Sequence, residues 1–231
     1  MTEIKLFATN AVRTVLAELV PSFERASGHK VSISYHTTAQ TLVLIQGGES
    51  ADAVIATRAG IDELASSGKV MPGSCVELAA TSIGVAVRKG APKPAIESVD
   101  AFRRTLLDAK SVAYTASGQS GMYFARLIER LGIAGQIKAK AKIRPGGLIA
   151  EVVVAGEAEL AVQMVSELLS VPGAELVGLL PAEINQTSMI AAGILPGTKH
   201  AGEARALIQH LASPDAAGVF EIKGLAPAPR G

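Results

Sequence analysis

Four short segments carry the residue types that could do chemistry: Thr9-Asn10-Ala11, His36-Thr37-Thr38, Ser117-Gly118-Gln119-Ser120-Gly121 and Arg144-Pro145-Gly146-Gly147. Each is small, hydroxylated or glycine-rich, and each stands between a predicted strand and a predicted helix. Loops of this kind leave backbone N–H groups and the positive end of a helix dipole open to a ligand, which favours an anion. In any one loop, the hydroxyls could do no more than cap their own helix. Four such loops at repeated spacing argue for a shared ligand. His36 and Arg144 add a protonatable and a charged donor. A planar guanidinium pairs bidentately with a carboxylate, and a solvated arginine and a surface histidine are the competing, equally weighted reading.

The elements that must position these loops occur twice. A strand, helix, strand, helix, strand succession begins at Ile4 and reappears at Ser111, and the same displacement of 107 positions separates Asp52 from Glu159 at the closing strands. So long a period points away from a solenoid, whose units run about 20–50 residues. It points to two half-domains, each an α/β lobe with its strand-to-helix loops on one edge. Two lobes facing one cleft are therefore expected: residues 1–84 and 187–231 in the first, residues 85–186 in the second. The chain should leave the first lobe near TSIGVAVRKG and return near TSMIAAGIL.

Composition fits this plan. Among 231 residues, 48% are apolar but only 3% aromatic, with no Trp, so the core must come mainly from Ala, Val, Ile and Leu. That mixture suits helices packed on buried parallel strands. Twenty-two basic and 21 acidic residues leave a formal charge of +1, which provides no field to hold a nucleic-acid backbone. No run approaches the ~18–20 apolar residues of a membrane span. The opening MTEIKLFA enters a strand with no leader pattern, so the chain as written is expected in the cytoplasm, or in the periplasm if a signal peptide has been replaced by a single Met.

Within the first copy, Val15, Leu16, Leu19, Val20 and Phe23 have helical spacing, with Pro21 expected to kink or break that helix and Gly28 to end it. Val31, Ile33 and Tyr35 alternate as a half-buried strand, and Thr38 is expected to cap the next helix. Near the C-terminus, two helices divide at Ser213-Pro214. Cys75 is expected to be a small, half-buried residue, and His29, His200 and His210 surface residues. Glu49, Asp52, Glu157 and Glu159 fall at turns expected on the edge opposite the ligand loops. No HExxH, CxxC, Walker or GxSxG pattern is present, so neither a metal nor a cofactor is expected.

The segments LFATNAV, YHTTAQTLVLIQGGESADAVIAT, ASGQSGMYFARLIERLGI, GEAELAVQ and SPDAAGVFEIKGLAP resemble, in order and spacing, the type II periplasmic solute-binding proteins. The likeness is to the branch that contains the molybdate-binding proteins of ABC transporters, and it covers almost the whole chain. It implies two α/β lobes joined by two crossing strands, with an oxyanion or carboxylate held between them by helix N-termini. Thr37 and Thr38 match the hydroxyls expected after the second strand, whereas the first loop offers Ala11 beside Thr9 and Asn10. Gln163 and Met164 stand where the branch has a tyrosine. With His36 and Arg144 nearby, these departures turn the expectation from molybdate toward an organic carboxylate.

Two functions follow from the resemblance. The leading one is reversible capture of a small anion, with an ABC permease as partner if the protein is exported. The alternative is an isomerase, because the chain is also similar to a group of aconitate isomerases on this scaffold. There, His36 would be the base, and Arg144 with the helix termini would stabilise the developing charge.

Overall fold

The structure is a computed structural model that describes residues 1–228. The chain forms two compact units, Met1–Thr81 with Ser188–Gly231, and Ser82–Thr187. The last three positions of the expected first-lobe segment 187–231 lie outside the described residues.

In order, the elements are β1 (Glu3–Thr9), α1 (Arg13–Ser27), β2 (Lys30–His36), α2 (Thr38–Gln46), β3 (Ala53–Thr57), α3 (Arg58–Ser66) and β4 (Val76–Arg88). Next come α4 (Val99–Asp108), β5 (Val112–Thr115), α5 (Gln119–Arg130), α6 (Ala134–Lys138), β6 (Ala141–Arg144), α7 (Ala150–Val154), β7 (Leu160–Met164), α8 (Val165–Leu169) and β8 (Ala174–Leu179). The chain closes with β9 (Thr187–Ile194), α9 (Ala201–Leu211), α10 (Pro214–Ile222) and β10 (Ala226–Pro227).

The repeat read from the sequence reappears as strand order. In the first unit, β1 pairs in parallel with β2 on one side and β3 on the other, and β9 runs antiparallel beyond β3. In the second, β5 pairs in parallel with β6 and β7, and β4 lies antiparallel between β7 and β8. The first strand of each copy is thus central, which aligns the C-terminal ends of three parallel strands along one edge of each sheet.

Helices cover both faces of each sheet, and alternation along the strands divides the side chains between them. Ala53 and Ile55 of β3 pack with Val15, Leu16 and Phe23 of α1 and Leu207 of α9, while Val54 and Ala56 meet Ile61 and Leu64 of α3. In the second unit, Val112 and Tyr114 of β5 pack with Phe102 of α4 and Phe124 and Leu127 of α5, and Ala113 faces Val152 and Val153 of α7.

Helix α1 runs unbroken through Pro21, so the break allowed for there does not occur. Pro21 lies on the exposed side. The lost N–H therefore falls on the solvent face, and the buried face of Val15, Leu16, Leu19, Val20 and Phe23 holds the helix together. Gly28 ends it at φ 73°, with its N–H donated to the Glu24 carbonyl. Thr37, one residue before the expected Thr38, caps α2 in a capping box with Gln40. Ser213 caps α10, with Pro214 in its first turn.

Cys75 is exposed, not half-buried. Two of the histidines expected at the surface are part-buried against Phe23: His29 stacks on its ring, and His210 tilts over it at 5.7 Å while pairing with the Ser22 hydroxyl at 2.9 Å.

Core packing sets the first expected outcome. Phe124 is fully buried, so Phe124→Ala should cost about 3–5 kcal/mol in urea denaturation. Val43 is 69% exposed, and Val43→Ala should change stability by less than about 0.5 kcal/mol.

Candidate functional site

In the first unit, parallel register sets Thr9 beside His36 at the ends of β1 and β2. The Thr9 side chain caps nothing, and a single 3-10 turn over Asn10–Val12 leads into α1. Ala11 is buried in the core, which leaves Thr9 and Asn10 as the polar groups of that loop. The His36 ring meets Phe7 edge-on at 5.7 Å. Thr37 Oγ1 accepts from the Gln40 N–H, and Thr38 Oγ1 accepts from the Thr57 N–H at 3.2 Å. Both hydroxyls act there as acceptors, so each retains its proton for donation.

Sequence reading missed Arg13 at this edge. Its guanidinium donates to Asn10 Oδ1 at 3.0 Å and lies over the Tyr35 ring, 3.9 Å from the centroid. Burial pushes the Tyr35 phenol up, partly offset by the adjacent Arg13 charge. The available signal was the three-residue spacing from Asn10 to Arg13 across one helical turn.

In the second unit, register sets Thr115 beside Arg144. Ser117 does not cap α5: its hydroxyl donates to the Pro145 carbonyl, tying the two loops together. Gly118 is the N-cap and supplies no side-chain acceptor, so the first N–H groups of α5, at Gln119, Ser120 and Gly121, have no side-chain cap. Uncapped amides at a helix start are groups of the kind that can hold an anion. The glycines serve packing as well. A Cβ on Gly121 would lie 1.8 Å from the Thr115 carbonyl oxygen, and one on Gly118 would lie 2.5 Å from Thr115 Oγ1. That hydroxyl is buried without a hydrogen-bond partner among the described residues.

The remaining second-unit candidates have structural duties. Gln163 is buried and spans the Gly147–Ile149 turn, its Oε1 accepting from the Ile149 N–H and its Nε2 donating to the Gly147 carbonyl, both at 2.8 Å. It holds the Gly146-Gly147 loop in place. Gly147 has φ 90°, a conformation that favours glycine. Met164 is buried in the core. Arg144, expected to meet the ligand, pairs with Glu151 at 3.4 Å and Glu157 at 3.8 Å.

A family model described as bacterial extracellular solute-binding protein matches residues 4–226. The chain belongs to this family. Among relatives, an aconitate isomerase from Pseudomonas sp is 37% identical, the match covering 99% of this chain and 89% of that protein. Among solved structures, the Azotobacter vinelandii periplasmic molybdate-binding protein superposes with a TM-score of 0.81 at 17% identity, covering 98% of this chain and all of that one. The sulfate-binding protein of Mycobacterium tuberculosis H37Rv gives a TM-score of 0.74 at 19% identity, covering 99% and 88%. These likenesses establish the type II periplasmic-binding-protein fold expected from the sequence.

Within this solute-binding scaffold, one acidic side chain stands apart. Glu167, in the first turn of α8 just beyond β7, is half-buried, and burial pushes its carboxyl up to about 7. The Gln163 amide and the Met164 N–H pull partly the other way. A carboxyl of this kind exchanges its proton near neutrality. Nothing in the sequence marked it, because the shift comes from tertiary burial. Among the described residues, no cluster of three or more His, Cys, Asp or Glu side chains could hold a metal ion, and no helix is long and apolar enough to cross a membrane.

Two outcomes are expected. Gly121→Ala should cost about 3 kcal/mol or more in urea denaturation, since the added methyl meets backbone, whereas Gly146→Ala, whose nearest neighbour is the Ser117 hydroxyl at 3.8 Å, should be nearly neutral. For Glu167, the raised folded-state value means that the protonated form is favoured by folding. Its contribution is complete below pH 4.5 and is lost as pH rises through about 7. Relative to Glu167→Gln, the native protein should therefore lose roughly 2–4 kcal/mol between pH 4.5 and 8, read as diverging denaturation midpoints.

Proposed function

We propose that the protein is an isomerase acting on an unsaturated tricarboxylate such as aconitate. The observation that carries this reading is the 37% identity to an aconitate isomerase across nearly the whole chain. The anion-binding structures named above are 17% and 19% identical and share the fold alone. The loop edges fit the chemistry. Their hydroxyls, uncapped amides and cations suit carboxylates, and each unit has a candidate proton carrier, His36 in the first and Glu167 in the second.

The reaction is a 1,3-proton shift. A base removes a proton from the methylene carbon, the electron pair delocalises over three carbons and into the attached carboxylates, and the double bond moves by one position. The same carrier, after exchanging that proton with solvent, then protonates the former vinyl carbon. Atoms and electrons balance without a redox partner, and the orientation of the terminal carboxylate about the bond that becomes double sets which geometric isomer forms. Hydrogen bonds to the carboxylate oxygens stabilise the charge as it spreads. The carrier is a group that gains and loses its proton near neutral pH.

Membership of a solute-binding family supports a second reading, capture of a carboxylate without chemistry for delivery to an ABC permease. Proton NMR of cis-aconitate with the purified protein in D2O separates the two. Isomerisation should yield trans-aconitate with deuterium at the methylene carbon. Saturable binding with no interconversion would instead identify a capture protein. If the isomerase reading holds, His36→Asn or Glu167→Gln, whichever removes the carrier, should lower kcat about 100-fold or more with a smaller change in KM.

A further inference from the structure

The carboxylate-recognising cation of this site was expected to be Arg144, yet that guanidinium already has two carboxylate partners on its own unit, Glu151 and Glu157. Its charge is compensated. Arg13 is in the opposite situation. It takes part in none of the ion pairs found among the described residues. It is nevertheless held in place. The Tyr35 ring supports one face of the guanidinium at 3.9 Å, and Asn10 Oδ1 takes a single N–H at 3.0 Å.

These two contacts fix the plane of the group while leaving most of its donors free and its charge without a carboxylate partner among the described residues. Their position is specific too. Tyr35 lies next to His36 at the end of β2, Asn10 follows Thr9 at the end of β1, and Thr9 and His36 are register partners. The oriented cation therefore sits at the same sheet edge as the hydroxyls of Thr9, Thr37 and Thr38.

We propose that Arg13 is the residue that binds a carboxylate of the ligand. This rests on the carboxylate part of the functional reading above. A guanidinium held flat presents a planar fork whose parallel N–H groups meet the two oxygens of a carboxylate. Tyr35 and Asn10 act as positioning residues, because a guanidinium already confined to one plane loses less rotamer freedom on binding.

Calorimetry on the whole chain tests the assignment, with tricarballylate, a saturated tricarboxylate that cannot isomerise, as the probe. Arg13→Ala should weaken tricarballylate binding at least about tenfold, and Arg13→Lys should restore little of it, since an ammonium lacks the fork. Arg144→Ala should stay within about threefold of the native protein. Arg13 is exposed, so its variants should keep the native melting temperature, which also verifies folding. Tricarballylate affinity unchanged in Arg13→Ala, or lost in Arg144→Ala instead, overturns the assignment. Absence of binding to the native protein by tricarballylate, citrate and both aconitate isomers overturns the carboxylate reading together with it. Arginine-dependent tricarballylate binding without cis–trans interconversion of aconitate leaves the assignment standing and removes only the isomerase.

Discussion

Parallel pairing of the first strand of each unit with the second and third strands governs everything else in this molecule. A parallel strand pair cannot be closed by a tight turn, so each connection must cross over through a helix, and three strand ends with their helix starts collect on one sheet edge. The polar loops depend on that arrangement. Thr9 meets His36, and Thr115 meets Arg144, only because β1 and β5 are central and in register with their neighbours. Close approach then refines the edge. Helix α5 starts so near the end of β5 that Gly118 and Gly121 are required by the Thr115 carbonyl and hydroxyl, and the amides above them are left without a side-chain cap.

Charge along these edges is compensated unevenly. Arg58 is shared between Asp62 and Glu77, Lys138 pairs with Glu129, and Arg144 with Glu151 and Glu157. Exposed pairs of this type add little stability, but they neutralise cations that would otherwise attract anions. Arg13 has aromatic and amide support in place of a carboxylate. Glu167 is the complementary case, a carboxyl raised by burial with no cation among the causes of its shift.

Family and fold carry different information here. The solute-binding scaffold is shared with proteins whose sequences agree at fewer than one position in five, because a twice-repeated α/β sheet tolerates any apolar set of suitable volume. The 37% identity to an aconitate isomerase is a likeness of sequence over nearly the whole chain, and on a shared scaffold function is set by the loops at the site and not by the core.

The sequence by itself determined the repeat, the α/β class, the strand and helix succession and the loops at the strand ends, because periodicity, glycine stops and caps are local signals. It also located the hydroxyls and glycines of the candidate site. Its local reading failed where competing local effects had to be weighed: Pro21 stays within α1 because tertiary burial of the opposite face outweighs one missing hydrogen bond, and Thr37 rather than Thr38 caps α2. Only the tertiary structure decided which side chains are already occupied. Gln163 is committed to backbone 14 and 16 residues away, Met164 to the core and Arg144 to acids beyond β6. Arg13 is oriented by a tyrosine on a neighbouring strand. The physical reason is distance: propensity acts over a turn or two of chain, whereas hydrogen bonding, ion pairing and desolvation act through space, between residues whose separation along the sequence carries no sign of their contact.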